Sequence, residues 1–108
     1  MRLSEALPNF ASSIAAALES EGFAHLRTRV LSAEIERWTY DPRALAGYIY
    51  VKQRTQIHPD ETPAAQTLAF GDPYWFNVDL RRDGDIFGIE LLENAEHVTS
   101  ALNAYRAP

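Results

Sequence analysis

The apolar positions of the chain change period twice, and each change marks a structural boundary. Leu7, Phe10, Ala11, Ile14 and Leu18 recur at the spacing of one helical face, Pro8 suits a first turn and Gly22 a C-terminal stop, so a helix is expected over about residues 7–21. Phe23, Leu26 and Val30 carry the same spacing into a shorter helix, which makes residues 1–33 a helical hairpin joined at Gly22. From Glu34 to Tyr40 the period drops to two, with β-branched and aromatic residues alternating with charged ones until Asp41-Pro42 turns the chain. Gly47 to Gln53 reads as the hairpin partner of this strand, with Ile49 and Val51 on one face and Tyr48, Tyr50 and Lys52 on the other.

Residues 55–65 combine Pro59 and Pro63 with His58, Asp60, Glu61 and Thr62, the composition of an exposed loop. A short strand over Gln66 to Phe70 follows, and Gly71-Asp72-Pro73 turns into the strand Tyr74 to Leu80. Asp83-Gly84 tolerates the positive φ of a tight hairpin, and the strand Asp85 to Leu92 returns. Val98, Ala101, Leu102 and Tyr105 then share a helical stripe behind Asn94, a candidate cap, so a terminal helix is expected over 94–106. The pattern predicts a single α+β domain over residues 1–108. Its sheet, over 34–92, is a mainly antiparallel β-meander of four to five strands, with the helices gathered on one face.

Composition sharpens this picture in three places. A chain of 108 residues can bury one core. The absence of cysteine removes disulfides, thiolate nucleophiles and cysteine zinc sites, and suits a reducing compartment. No segment has the continuous apolar character of a signal peptide or a membrane span, so a cytoplasmic protein without membrane contact is expected. The net charge of −5 argues against nucleic acid and for a basic protein partner, since the adjacent pair Arg81-Arg82 is surrounded by Asp79, Asp83 and Asp85.

Groups with chemical potential do not converge in the sequence. His25, His58 and His97 share no metal-ligand spacing, and His58 with Asp60 and Glu61 reads as a solvated loop surface. Asp79 and Glu90 lie on adjacent predicted strands and would form a carboxylate pair if they shared a face; the plainer reading gives Asp79 a turn or arginine partner and Glu90 a wet position. The serines lack a nucleophile elbow, and Gly84 and Gly88 make no phosphate loop. No catalytic residue, metal site or cofactor is expected.

The aromatic residues are more informative. If Ile35, Ile49, Val51, Phe76, Val78, Leu80, Ile89 and Leu91 face the helices, alternation sends Trp38, Tyr40, Tyr48, Tyr50 and Trp75 to the opposite face. Clustered exposed rings of this kind mark binding surfaces. The other reading places Trp38 and Trp75 in the core of a sheet covered on both sides.

Tyr40-Asp41, Tyr48-Ile49-Tyr50-Val51, Asn77-Val78-Asp79-Leu80, Asp83-Gly84 and Gly88-Ile89-Glu90-Leu91-Leu92-Glu93-Asn94-Ala95 together resemble a bacterial family of small β-meander domains of unknown function. The resemblance covers roughly residues 35–97; the helical segment before Glu34 and the loop from Thr55 to Gln66 depart from it. It implies a β-meander fold and, through relatives that look like members of toxin and antitoxin gene pairs, an antitoxin-like role. The expected function is therefore a non-enzymatic protein-binding module of antitoxin or immunity type that neutralises a basic partner such as a toxin nuclease. Trp38, Tyr40, Tyr48, Tyr50 and Trp75 would exclude water at the contact, while Glu34, Glu36, Asp60, Glu61 and Glu90 steer the partner. The alternative is a small enzyme or small-molecule binder with a pocket between the 55–66 loop and the sheet, using His58 and Asp79. A homodimer that pairs its aromatic faces is the third reading.

Overall fold

A computed structural model describes residues 1–56 and 64–106. The N-terminal layer contains α1 (Leu3–Ala6), α2 (Pro8–Ser20), a 3₁₀ turn (Ala24–Leu26) and α3 (Arg27–Leu31). Pro8 stands in the first turn of α2, where its missing N–H costs no helical bond. The helix stops at Gly22, whose φ of 89° lets the chain reverse. Gly22 N–H then donates to Glu19 O, and Phe23 N–H to Leu18 O, satisfying the last carbonyls and turning Phe23 toward α3. The helical hairpin expected from periodicity is thus present, its second arm beginning as a 3₁₀ turn.

Five strands follow: β1 (Ile35–Asp41), β2 (Ala46–Val51), β3 (Gln66–Phe70), β4 (Phe76–Leu80) and β5 (Ile86–Leu91), before α4 (Ala95–Arg106) closes the chain. They form one antiparallel sheet in the order β1-β2-β5-β4-β3. The hairpin β1-β2 and the meander β3-β4-β5 are therefore joined by pairing β2 to β5, which puts β5 at the centre. Gly84, at φ 86°, makes the β4–β5 reversal, with Gly84 N–H donating to Arg81 O and Arg81 N–H to Asp85 O.

One face of the sheet carries the core. Ile35, Ile49, Val51, Phe76, Val78, Leu80, Ile89 and Leu91 are all buried, as alternation requires, and pack with Leu3, Ile14, Leu18, Val30 and Leu102 from the helices in one cluster. Each such side chain contributes roughly 1.5–3 kcal/mol by leaving water. The layers are also tied by an ion pair. Arg29 on α3 donates from Nε to Asp85 Oδ1 at 2.8 Å and from Nη2 to Asp85 Oδ2 at 3.4 Å and Lys52 O at 3.2 Å, with both side chains over nine-tenths buried. Among the described residues no helix is long and apolar enough to cross a membrane.

Two bulges change which side chains reach which face. In β1, Ile35 pairs with Val51 but Arg37 pairs with Tyr50, so Glu36 is an extra residue. The slip returns Trp38, opposite Ile49, and Tyr40, opposite Gly47, to the helix side. This corrects the expectation that Trp38 and Tyr40 share a face with Tyr48 and Tyr50: both are half-buried and pack against the core. Trp38 Nε1 donates to Asn103 Oδ1 on α4 at 2.9 Å, and the Arg106 guanidinium lies 4.5 Å from the centre of its ring. In β5, Gly88 pairs with Asp79 and Ile86 with Leu80, leaving Phe87 as the second extra residue.

Candidate functional site: the open face of the sheet

The strand register assembles the helix-free face position by position. Arg37 pairs with Tyr50, Thr39 with Tyr48, Tyr48 with Glu90, Tyr50 with Gly88, Gly88 with Asp79, Asn77 with Glu90 and Thr67 with Asp79. Paired residues in an antiparallel ladder point to the same side, so these residues form one surface. Phe87 joins them because the β5 bulge turns it outward against the two tyrosines: its ring centre is 6.4 Å from that of Tyr48 and 6.0 Å from that of Tyr50. Tyr48 and Tyr50 are themselves 4.6 Å apart, and the Arg37 guanidinium sits 3.6 Å above the Tyr50 ring, a cation–π contact.

Gly88 is what allows Tyr48 to lie down. The Tyr48 ring occupies the space a side chain at position 88 would fill, well inside van der Waals contact of any added Cβ. From there its hydroxyl reaches across β5 and donates to Asp79 Oδ2 at 2.6 Å, while Thr67 donates to Asp79 Oδ1, also at 2.6 Å. Burial raises the Tyr48 pKa above its ordinary value, and the hydrogen bond to Asp79 raises it further, so Tyr48 remains a neutral donor throughout the physiological range. Glu90 accepts from Asn77 Nδ2 at 3.2 Å. A line of paired groups thus crosses four strands, from Tyr48 on β2 over Gly88 on β5 to Asp79 on β4 and Thr67 on β3.

Asp79 and Glu90 do share this face, but each is held by neutral donors, Asp79 by Tyr48 and Thr67 and Glu90 by Asn77, so the arrangement is a hydrogen-bonded surface network. The other expected binding residues scatter. Trp75 stands just before β4, 45% exposed and at φ 54°, beyond the end of the strand ladder. Glu34 and Glu36 are exposed next to the β1 edge, Glu34 bridging to Arg2 through the backbone. Asp60, Glu61 and His58 lie outside the described residues, as does most of the loop that was to cover a pocket. His25 and His97 stand on different elements, and among the described residues no three His, Asp or Glu side chains gather as a metal site.

Of the five rings expected on one face, Tyr48 and Tyr50 are there. Phe87, Arg37, Asn77 and Thr67, which the sequence does not mark as binding residues, complete the surface. Their signal was the register itself, which a glycine in the interior of a strand, at position 88, marks. No family model, no curated protein and no solved structure matches the chain.

Proposed function

We propose that the chain is a non-enzymatic protein-binding module whose helix-free sheet face docks a basic protein partner, in the manner of an antitoxin or immunity protein acting in the cytoplasm. The observation that carries this reading is the cluster of Tyr48, Tyr50 and Phe87, half-buried against one another on the sheet face opposite the core, beside the carboxylates Asp79 and Glu90. Large rings held rigid by neighbours supply contact area at small entropic cost. The carboxylates, on a chain of net charge −5, favour approach of a cationic surface. A basic nuclease with an exposed phosphate groove is the kind of partner such a face fits.

The test is affinity capture from the native host with the wild-type chain and a Tyr50→Ser, Phe87→Ser variant, followed by binding measurements on the purified pair. A single basic protein held by the wild type, weakened at least about tenfold by the variant and weakened again in about 0.5 M salt, supports the proposal. Equal binding to both chains, or affinity indifferent to salt, refutes it.

A further inference from the structure

The sheet has a second distinctive region, at the end where β1 and β3 finish and β2 and β4 begin. Among the described residues the chain has three non-glycine positions of positive φ, and all three are at this end: Leu45 at 53° in the β1–β2 turn, Trp75 at 54° before β4, and Asn94 at 57° after β5. Such conformations are disfavoured for side-chain-bearing residues and tend to collect at functional sites. The exposed apolar side chains collect there too. Of the five large ones most exposed among the described residues, Leu45 (65%), Tyr74, Trp75 and Leu92 border this end, and Tyr105 on α4 does not. Leu92 N–H donates to Trp75 O, so those two are neighbours.

A cleft of about 480 Å³ opens beside Leu45, between the β1–β2 turn and the start of α4, and is lined by Tyr40 and Leu45 together with the polar Asn94, Glu96, His97 and Ser100. Folding does not need Leu45 to be leucine: at φ 53° and on the surface, glycine would be the easier residue. The charges around the rim are unbalanced. Asp41, Asp72, Glu93 and Glu96 are exposed there against Arg43.

From this juxtaposition we infer that the strand-end rim is a docking surface for a cationic amphipathic segment of another protein, with its apolar side chains against Leu45, Trp75 and Leu92 and its basic side chains over Asp41, Glu93 and Glu96 beside the polar cleft. The acidic border selects this occupant. It repels a second copy of the same rim and an anionic lipid surface, and it complements lysine or arginine flanking apolar residues. The rim stands on residues other than Tyr48, Tyr50 and Phe87, and Tyr50 and Phe87 lie toward the opposite ends of their strands, so it does not depend on the open-face reading.

Selection from a displayed library of random peptides of about 12 residues against the immobilised wild-type chain tests the inference. The expected winners carry at least about two net positive charges and two large apolar residues, and they lose affinity by at least about tenfold on a Leu45→Gly, Trp75→Gly chain. Both substitutions put glycine where φ is already positive, so the backbone is kept, and circular dichroism confirms it. A Glu93→Gln, Glu96→Gln chain is the second variant, expected to bind the same peptides several-fold more weakly at low salt and equally in about 0.5 M salt. The Tyr50→Ser, Phe87→Ser chain should bind them as the wild type does, which separates this surface from the open face. Acidic or uncharged winners, no enrichment, or equal binding to the glycine variant overturn the inference, as do self-association of the wild type through the rim or preference for anionic vesicles over the peptides.

Discussion

Position 88 shows how one residue can organise a surface. With glycine there, Tyr48 lies across β5 and reaches Asp79; any Cβ would collide with the ring. Gly88→Ala should therefore destabilise by about 1–3 kcal/mol through overpacking, seen as a lower urea midpoint. Tyr48→Phe should cost about 1.5 kcal/mol, because it removes the donor to a carboxylate and leaves the ring. The Gly88→Ala, Tyr48→Ala pair should be less damaging than the sum of its singles, since removing the ring also removes the clash. The buried ion pair makes the second residue-scale prediction. Burial pushes the Asp85 carboxyl up, but hydrogen bonds from Arg29, then Arg54 and the Ile86 N–H, outweigh it and hold the pKa below the ordinary value. A carboxylate lowered in the folded state contributes stability that is fully present above the unfolded pKa of about 3.9 and is lost as pH falls through the folded value. Arg29→Met, which strands Asp85 with one exposed arginine, should cost about 3–5 kcal/mol at neutral pH and flatten the acid limb of a urea-midpoint profile.

At the scale of elements, alternation was an accurate guide wherever pairing was regular. It placed Ile49, Val51, Phe76, Val78, Leu80, Ile89 and Leu91 on the core side, and all are buried. It failed for Trp38 and Tyr40 because Glu36 is an extra residue, and a bulge outside the glycine type leaves no compositional mark: glutamate is as ordinary in a strand edge as in a bulge. Phe87 was hidden for the same reason. The pairing of β2 with β5 and the bond between Arg29 and Asp85, 56 residues apart, are non-local and have no signature in a window of a few residues. The turns, in contrast, were legible because Gly22 and Gly84 occupy backbone conformations that other residues rarely adopt. The bulge makes its own prediction. Deleting Glu36 leaves Ile35 opposite Val51 and Arg37 opposite Tyr50 in an unbroken ladder, so the variant should fold within about 1 kcal/mol of the wild type and keep the Trp38 to Asn103 bond. An unchanged indole N–H resonance for Trp38 would verify it; a Trp38 moved to the open face would contradict the assigned register.

For the whole molecule, the question is whether the hairpin β1-β2 and the meander β3-β4-β5 can come apart. Besides the shared core, several connections oppose it, among them the four-residue-pair ladder between β2 and β5, the bond from Tyr48 on β2 to Asp79 on β4, the Arg29–Asp85 pair that pins α3 to the β4–β5 turn, and Arg81, whose Nη1 donates to Thr55 O at 3.0 Å and so holds the chain leaving β2 against β4. The Cα radius of gyration of 13.2 Å agrees with the roughly 13 Å of a single compact body of this length, so neither half stands off as a lobe. The two tryptophans happen to report on the two halves, Trp38 from β1 and Trp75 from the start of β4. Chains carrying Trp38→Phe or Trp75→Phe, followed by the fluorescence of the remaining indole and by far-ultraviolet circular dichroism, should each unfold in urea with the fluorescence and dichroism transitions superimposed. Trp38→Phe should be the less stable of the two, by about 1 kcal/mol, and so have the lower midpoint, because it gives up the bond to Asn103, whereas Trp75 is exposed. If the Trp38 signal were lost before the dichroism, the β2–β5 ladder would be a weak seam and both binding surfaces, each of which spans it, would be assembled only when the two halves close.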